Sequence, residues 1–554
     1  MAEQNTQLNV FPRQFRVDPW SLSAVLIALV VLLPIVSVFW IALHPSEPIW
    51  GHLIQTTLPR YLGNSLTIML SVGLLSAMIG TGAAWLIVCY RFPGSWWLQW
   101  LLLLPLSVPG YLGAYALVDF LEYAGPVQTG LRSLFGWTSA RDYPFPEIRS
   151  LPGAIFVLTA SLFPYVYLLA RAGFREQSGR AHEVARALGA GPIARFRRIG
   201  LPLARPAIAA GTAIVMMETV NDFGAVDFFG VQTLTTGIFT VWLEAGNAGG
   251  AAQIACVILA MILALVVLEK SSRRGLRYHR MSRSDRRIAP TRLKGRWGWC
   301  ATALCALPFL AGFVLPVSVL GHHALTRTDG WSAPGLVDAL FNTFTVAGTA
   351  AVVTVSAALI LVYGTRLTGH KLPRLLLPFT TIGYAAPGAV LALGLLIPLA
   401  TFDNALADGI LAITGYDPGL LLTGGVTVLV LAYAVRFFAI GQGAADAALE
   451  RVSPSLPMAA RTLGQSAGGT LRRVYLPLMR GSIATALLLV FVDAVKELPA
   501  TLLLRPFNFN TLATRAHESA SLEKIVEAAP SAILIICVSL AAVALLARQM
   551  VRNR

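Results

Sequence analysis

The chain has 554 residues, 56% hydrophobic and 13% charged, with a mean hydropathy of +0.67. Soluble domains carry roughly 25% charged residues, so this composition excludes a soluble globular protein and predicts an all-α, polytopic membrane protein. The net charge of +16 raises nucleic acid as a partner. However, the basic residues cluster in loops beside apolar runs, which is the positive-inside pattern, so the expected partner is the lipid bilayer and no nucleic acid.

A bilayer core needs about 20 apolar residues per helix. The first half of the chain offers runs at 22–43, 63–90, 97–121, 151–170, 205–224 and 251–269. The second half offers 298–320, 342–363, 374–400, 420–440, 480–504 and 530–547. The first run is too long for a signal-peptide core of about 7–15 residues and has no clear cleavage site after it, so it reads as an uncleaved span. Runs 63–90 and 374–400 are long enough to tilt. The expectation is about 12 transmembrane helices in two halves, 1–269 and 298–554, joined by a linker over 270–297. Loops 122–150 and 505–529 are long enough to hold short helices on the outer face.

Lys270 to Arg296 is the most basic segment and holds one acid, Asp285, so it is expected in the cytoplasm. Counting spans outward places both termini inside, with Arg13 and Arg16 near the first, together with the loops 171–204 and 441–479. Segments 222–250 (Asp222, Asp227, Glu244) and 401–419 (Asp403, Asp408, Asp417) contain no Lys or Arg and are expected outside. The five cysteines lie in or beside apolar stretches without a CxxC, so neither a disulfide nor a zinc site is expected. His322-His323, beside a span, reads as part of a surface loop rather than a metal site.

The two inside loops repeat each other without a gap at a spacing of 275 residues. Ala185, Arg186, Leu188, Gly189, Arg197, Arg198, Leu201 and Pro202 meet Ala460, Arg461, Leu463, Gly464, Arg472, Arg473, Leu476 and Pro477. Ala185, Ala187 and Leu188 favour a short helix with small side chains, so a partner surface can approach closely. Gly189 can end it in the left-handed conformation, and Leu201-Pro202 is expected to break the loop before the next span. Asn64-Ser65-Leu66-Thr67 likewise matches Asn342-Thr343-Phe344-Thr345, and Val108-Pro109-Gly110 matches Ala386-Pro387-Gly388. Six spans per half, each half starting inside, make a parallel duplication about an axis along the membrane normal.

The pattern E-A-A, three residues, G, about nine residues, then I-x-L-P resembles the coupling loop of permease subunits of bacterial ABC importers. The first copy supplies Glu183, Ala185, Gly189, Ile199, Leu201 and Pro202, with Val184 in place of the middle alanine. The second supplies Ala459, Ala460, Gly464, Val474, Leu476 and Pro477, with Met458 in place of the glutamate. The resemblance implies that each loop forms a coupling helix docked in a groove of an ATPase subunit, two copies in all. Met458 further implies that the two docking points are not equivalent.

The fifth and eleventh spans carry acids in matching places. At the same spacing, Glu218 meets Asp493, Asn221 meets Lys496 and Asp222 meets Glu497. Glu218 and Asp222 are four apart, which predicts one helical face. Glu218 lies on the order of 18–20 Å into its span at 1.5 Å per residue. Carboxylates at that depth face a partner or a water-filled cavity. Two readings stay open: pairing with Lys496, Arg505 and neighbouring helices, or a polar lining of a translocation path. Hard carboxylate oxygens suit a hard cation in transit, with no metal tightly bound. Gly224-Ala225 and Pro499-Ala500 mark places where helical hydrogen bonding can be interrupted.

NDFGAVDFFG with Gln232 to Gly237, and Lys496 to Glu518, resemble the fused two-half permeases of ferric-iron ABC importers; thiamine, phosphonate and polyamine permeases are close relatives. The resemblance implies an inner-membrane permease that receives Fe(III) from a periplasmic binding protein. No Walker A, GxSxG or HExxH pattern is present. No catalytic residue and no cofactor are therefore expected, with ATP and Mg binding a separate ATPase. An ion-gradient-driven transporter is the competing class, and it leaves the paired basic loops unexplained. If the charge pattern sets the topology, a cysteine at Ser282 stays unlabelled by an impermeant thiol reagent in intact cells. Labelling from outside would overturn it.

Overall fold

A computed structural model describes residues 18–273, 288–453 and 455–552. Arg13, Arg16 and the middle of the basic linker, including Ser282, lie outside the described residues. Among these residues, ten helices are long and apolar enough to cross a membrane, and two bent pairs bring the number to twelve. The first-half spans are Pro19–Leu43, Leu58–Cys89, the bent pair Ser95–Ser107 with Gly110–Phe135, Leu151–Arg175, Pro192–Asn221 and Ala248–Arg273. The second-half spans are Arg296–Thr326, Leu336–Thr368, Gly388–Thr414, the bent pair Val426–Arg436 with Phe438–Glu450, Ala467–Val495 and Ile525–Arg552.

Two of the runs that read as single helices are broken at a shared motif. The third span bends by 95°. Val108 is extended before Pro109, and a new helix starts at Gly110. The run 374–400 is not one long tilted helix. It contains two short helices, Lys371–Leu376 and Ile382–Ala385, and the span itself starts at Gly388. The cause is the same: Ala386 precedes Pro387 and is forced into the extended region. The repeated x-Pro-Gly motif is thus a repeated break.

Segment 401–419 is not an open acidic loop. The helix continues to Thr414, and Asp403 is fully buried. Its carboxylate accepts the amides of Leu421, Leu422 and Thr423, each at 2.9 Å, and ties the returning chain to the helix. His322-His323 is likewise helical, within Leu315–Thr326, and His323 Nε2 is 2.8 Å from Asp119 Oδ2 across the two halves. The loops 122–150 and 505–529 do carry short helices, Pro126–Phe135 and Leu512–Ser521.

The Asn-Ser/Thr motif at the start of the second and eighth spans holds the halves in the same local shape. Asn64 donates to the Gln232 carbonyl at 2.8 Å, and Asn342 donates to the Asn510 carbonyl at 3.0 Å. Ser65 accepts the Leu234 amide at 2.9 Å, and Thr343 accepts the Leu512 amide at 2.8 Å. The helices so anchored, Leu234–Phe239 and Leu512–Ser521, both begin with a reciprocal Thr-x-x-Thr cap, Thr233 with Thr236 and Thr511 with Thr514.

Helix packing relies on glycines at close crossings, as expected where lipid supplies no hydrophobic drive between helices. A Cβ on Gly394 would sit 2.1 Å from the Pro34 carbonyl oxygen, whereas one on Gly348 would meet nothing within 4 Å. Gly394→Val is therefore expected to destabilise by about 1–3 kcal/mol, the range for overpacking. The check is the melting temperature in detergent, with Gly348→Val close to wild type. Equal effects would show that the crossing tolerates a side chain.

Candidate translocation cavity and coupling loops

The fifth span stops being helical at Asn221, and Asp222 is extended with ψ 134°. The reading that Glu218 and Asp222 share one helical face is therefore corrected: the helix ends between them. Asp222 instead caps the next short helix, Gly224–Phe228. Its Oδ1 accepts the Ala225 amide at 3.0 Å and the Val226 amide at 3.3 Å. The eleventh span ends at Val495, and Glu497 does the same for Pro499–Leu504, accepting the Ala500 amide at 3.1 Å. A carboxylate just ahead of the first turn also suits the positive end of a helix. The breaks fall a residue or two before Gly224-Ala225 and Pro499-Ala500.

The two breaks meet. A Cβ on Gly224 would come within 2.7 Å of Leu498 Cδ2 and 2.8 Å of Tyr111 Cβ, so only glycine allows this approach. The contact borders a cavity of about 160 Å³, room for several water molecules. Glu218, Asn221, Asp222, Asp493, Lys496 and Glu497 all line it, so one chamber receives polar groups from both halves. Lys496 Nζ is 3.1 Å from Asp493 Oδ1. Glu497 Oε2 is 3.0 Å from the Nε of Arg436, and both side chains are largely buried. Arg505 takes no part. It bonds Glu518 and Asn510 instead.

Arg436 is the cavity residue that sequence reasoning missed. The duplication hid it, because its counterpart at the spacing of 275 residues is Ser161, which lines the same cavity. The signal was nonetheless present: a lone arginine inside the apolar run 420–440 is a membrane-buried charge and calls for a partner. The glycine of the second x-Pro-Gly motif makes room for the pair. A Cβ on Gly388 would be 2.5 Å from Glu497 Oε1 and 2.8 Å from Arg436 Nη1. Four carboxylates and two cations give the lining a formal charge of −2 when all are ionised.

The coupling loops form matching turns. Gly179–Ala187 and Ser455–Thr462 are the short helices, and Gly189 (φ +79°) and Gly464 (φ +81°) end them in the left-handed conformation. Leu188 and Leu463, at equivalent places, are each 81% exposed, and Glu183 and Met458 are also exposed. Ala185 is half-buried and Ala460 buried. Leu201-Pro202 does not break the chain. The helix runs on from Pro192 through Asn221, with one widened turn at Phe196–Gly200 just before Pro202, and Leu471–Tyr475 repeats this before Pro477. The proline sits in the first turn of the resumed helix, where its missing N–H is least costly. The widened turn before it is a π-bulge, the form such bulges take inside helices.

What lies behind the two loops differs. In the first, the Trp85 ring packs against Phe174, His182 and Phe196, with centroids 5.3, 5.8 and 5.2 Å apart. His182 bonds the Gln177 carbonyl oxygen at 3.0 Å, and the Gln177 amide reaches the Gly200 carbonyl at 2.9 Å. Burial, then the nearby Arg195, hold His182 below the usual histidine range, so it serves as a neutral donor to Gln177. In the second, Tyr363, Pro457 and Leu471 stand where Trp85, His182 and Phe196 stand in the first. The smaller set leaves a cavity of about 430 Å³ bordered by Met458, Arg461 and Tyr475.

The pattern of the family described as "Binding-protein-dependent transport system inner membrane component" matches the chain twice, at residues 76–277 and 355–552. The chain is 26% identical over 498 residues to the Fe(3+)-transport system permease protein FbpB 2 of Haemophilus influenzae, covering 88% of this chain and 89% of that protein. It is 30% identical over 202 residues to the molybdenum transport system permease protein ModB of Escherichia coli K12, covering 35% of this chain and 84% of that protein. It is 24% identical over 253 residues to the sulfate transport system permease protein CysT of Salmonella typhimurium, covering 44% of this chain and 87% of that protein. With the family pattern present in both halves and spanning most of a chain of up to twelve membrane helices, this protein is a multi-pass member of the binding-protein-dependent transport permeases of the inner membrane.

Proposed function

We propose that the chain is the fused permease of an ATP-driven ferric-iron importer, with both termini in the cytoplasm. It takes Fe(III) from a periplasmic binding protein and passes it through the Glu218–Glu497 cavity. One ATPase subunit docks on each coupling loop, and the chain has no ATPase site of its own. The observation that carries the substrate reading is the charge of the lining. Both cations already face carboxylates, Lys496 with Asp493 and Arg436 with Glu497, and Glu218 and Asp222 remain as excess negative charge. Such a chamber attracts a hard cation and repels an oxyanion. Relatives named for ferric-iron transport align along most of this chain, FbpB 2 over 88% of it. A second reading, passage of an oxyanion, draws on the ModB and CysT similarities and on the buried Arg436 Nη1, which has no hydrogen-bond partner among the described residues.

The pair to neutralise is Glu218 and Asp222. Asparagine at Asp222 retains an oxygen to cap Ala225, so the break survives while the charge is lost. Glu218→Gln with Asp222→Asn is expected to lower uptake of radiolabelled ferric iron in proteoliposomes at least about tenfold, the factor for 1.4 kcal/mol of lost attraction. Yield and ATPase association should stay normal. Uptake at the wild-type rate, or stimulation by molybdate or sulfate instead, sinks the cation reading. Glu497→Gln tests a different thing. It strands Arg436, and breaking a buried pair costs about 3–5 kcal/mol, so low yield is the expected result.

The coupling assignment is tested separately. Gly189→Pro or Glu183→Arg should abolish transport with the protein still inserted. Met458→Arg should be milder, because that position never supplied a carboxylate and borders open space. Equal damage at Glu183 and Met458 would remove the asymmetry.

A further inference from the structure

Away from the cavity, the seventh span stands apart from its neighbours along part of its length. Between it and the second and fourth spans lies a crevice of about 570 Å³, lined by Leu75, Ile79 and Leu86 on one side, Phe156 on a second and Leu304 and Leu307 on a third. Apart from the Thr159 hydroxyl, the Cys305 thiol and the Met78 thioether, its lining side chains are hydrocarbon. From Leu75 to Leu86 it extends about 16 Å at 1.5 Å per residue, close to one leaflet of a core about 30 Å thick. Its length and chemistry match a single acyl chain rather than a soluble metabolite.

The end of the crevice near Leu86 carries charge of one sign. The chain leaves the second span at Tyr90-Arg91 and pairs there, in parallel, with Thr291-Arg292, which leads into the seventh span. Tyr90 aligns with Thr291 and Arg91 with Arg292, so two guanidinium side chains start from neighbouring points. Lys294 and Arg296 follow within four residues, and all four cations are exposed. Neither 87–105 nor 288–306 contains an Asp or Glu. Trp96, Trp97, Trp297 and Trp299, each about 65% exposed, surround the same end, the placement tryptophan takes at a membrane–water interface. This is also the coupling end of the second span, because Trp85 packs on His182 and Phe196 of the first coupling loop.

We infer that this crevice is a binding site for one anionic phospholipid, with an acyl chain between the second, fourth and seventh spans and the phosphate on Arg91, Arg292, Lys294 and Arg296. The acyl-sized slot and the acid-free basic rim stand at the same leaflet. A zwitterionic lipid offers the chain but not the net charge. The lipid fills the gap that separates the seventh span from the first half, so it links the two halves at a place where side chains do not.

The test uses the full-length permease in detergent, exchanged against phosphatidylglycerol or phosphatidylcholine and read by native mass spectrometry and thermal shift. The expected result is one retained phosphatidylglycerol per chain, a higher melting temperature with that lipid, and little of either with phosphatidylcholine. Arg91→Gln with Arg292→Gln should weaken phosphatidylglycerol retention by about tenfold or more, from the contribution of each cation near an anionic headgroup. Gly82→Phe, at a lining glycine whose Cβ would meet nothing within 4 Å, fills the slot and should abolish retention without loss of fold. Equal retention of both lipids, unchanged retention in the arginine variant, or unchanged retention in a folded Gly82→Phe protein would each overturn the site.

Discussion

Two carboxylate caps hold the centre of this protein together. A helix that stops inside a membrane exposes amides and carbonyls with no water to receive them, so a break survives only where the chain itself satisfies them. Asp222 on Ala225 and Glu497 on Ala500 perform that task at equivalent positions, supported by Thr235 on the Asp222 carbonyl and Thr501 on the Glu497 carbonyl, both at 2.9 Å. With the breaks secured, the post-break helices can meet at Gly224 and Leu498, and both residues form part of the chamber wall. The acids therefore have two duties, since the same side chains that terminate the helices also charge the cavity.

The duplication is close in backbone and loose in chemistry. Asparagine anchors, threonine caps, x-Pro-Gly breaks and left-handed glycines recur in both halves with nearly the same hydrogen-bond lengths. Side chains at equivalent places then diverge. Arg436 answers Ser161 in the cavity, Lys496 answers Asn221, and Met458 answers Glu183 on the coupling surface. Behind the loops, Trp85 fills what Tyr363 leaves open. Repeated backbone with unequal side chains gives one chamber with a charge pattern neither half could build alone. It also leaves the two loops unequally backed, by packed rings in the first and by open space in the second.

Much of this was legible without coordinates. Apolar runs about 20 residues long give the number of spans, and a gapless internal repeat gives the paired polar loops, because both signals are local or translational. The left-handed Gly189 was readable because a helix followed by glycine before a polar loop has few other endings, and Gly464 matches it in the repeat. The matching of Glu218 with Asp493 and of Asp222 with Glu497 was readable for the same reason as the repeat.

Helix breaks and ion-pair partners were not readable in that way. The i, i+4 spacing of Glu218 and Asp222 implied a shared face only if the helix continued, and it stops at Asn221, where Asp222 turns to cap the next helix. Run 374–400 looked continuous because hydropathy does not register Pro387. Asp403 looked exposed because its three amide donors lie 18–20 residues further on. Arg436 and Glu497 are 61 residues apart, and only the packing of the tenth span against the eleventh-span break brings them to 3.0 Å. Sequence alone determined the spans, the duplication and the paired polar loops, since these follow from hydropathy and self-similarity along the chain. Tertiary structure alone decided where helices stop and which charges pair, since in a membrane every polar group must be satisfied by whatever element packs beside it.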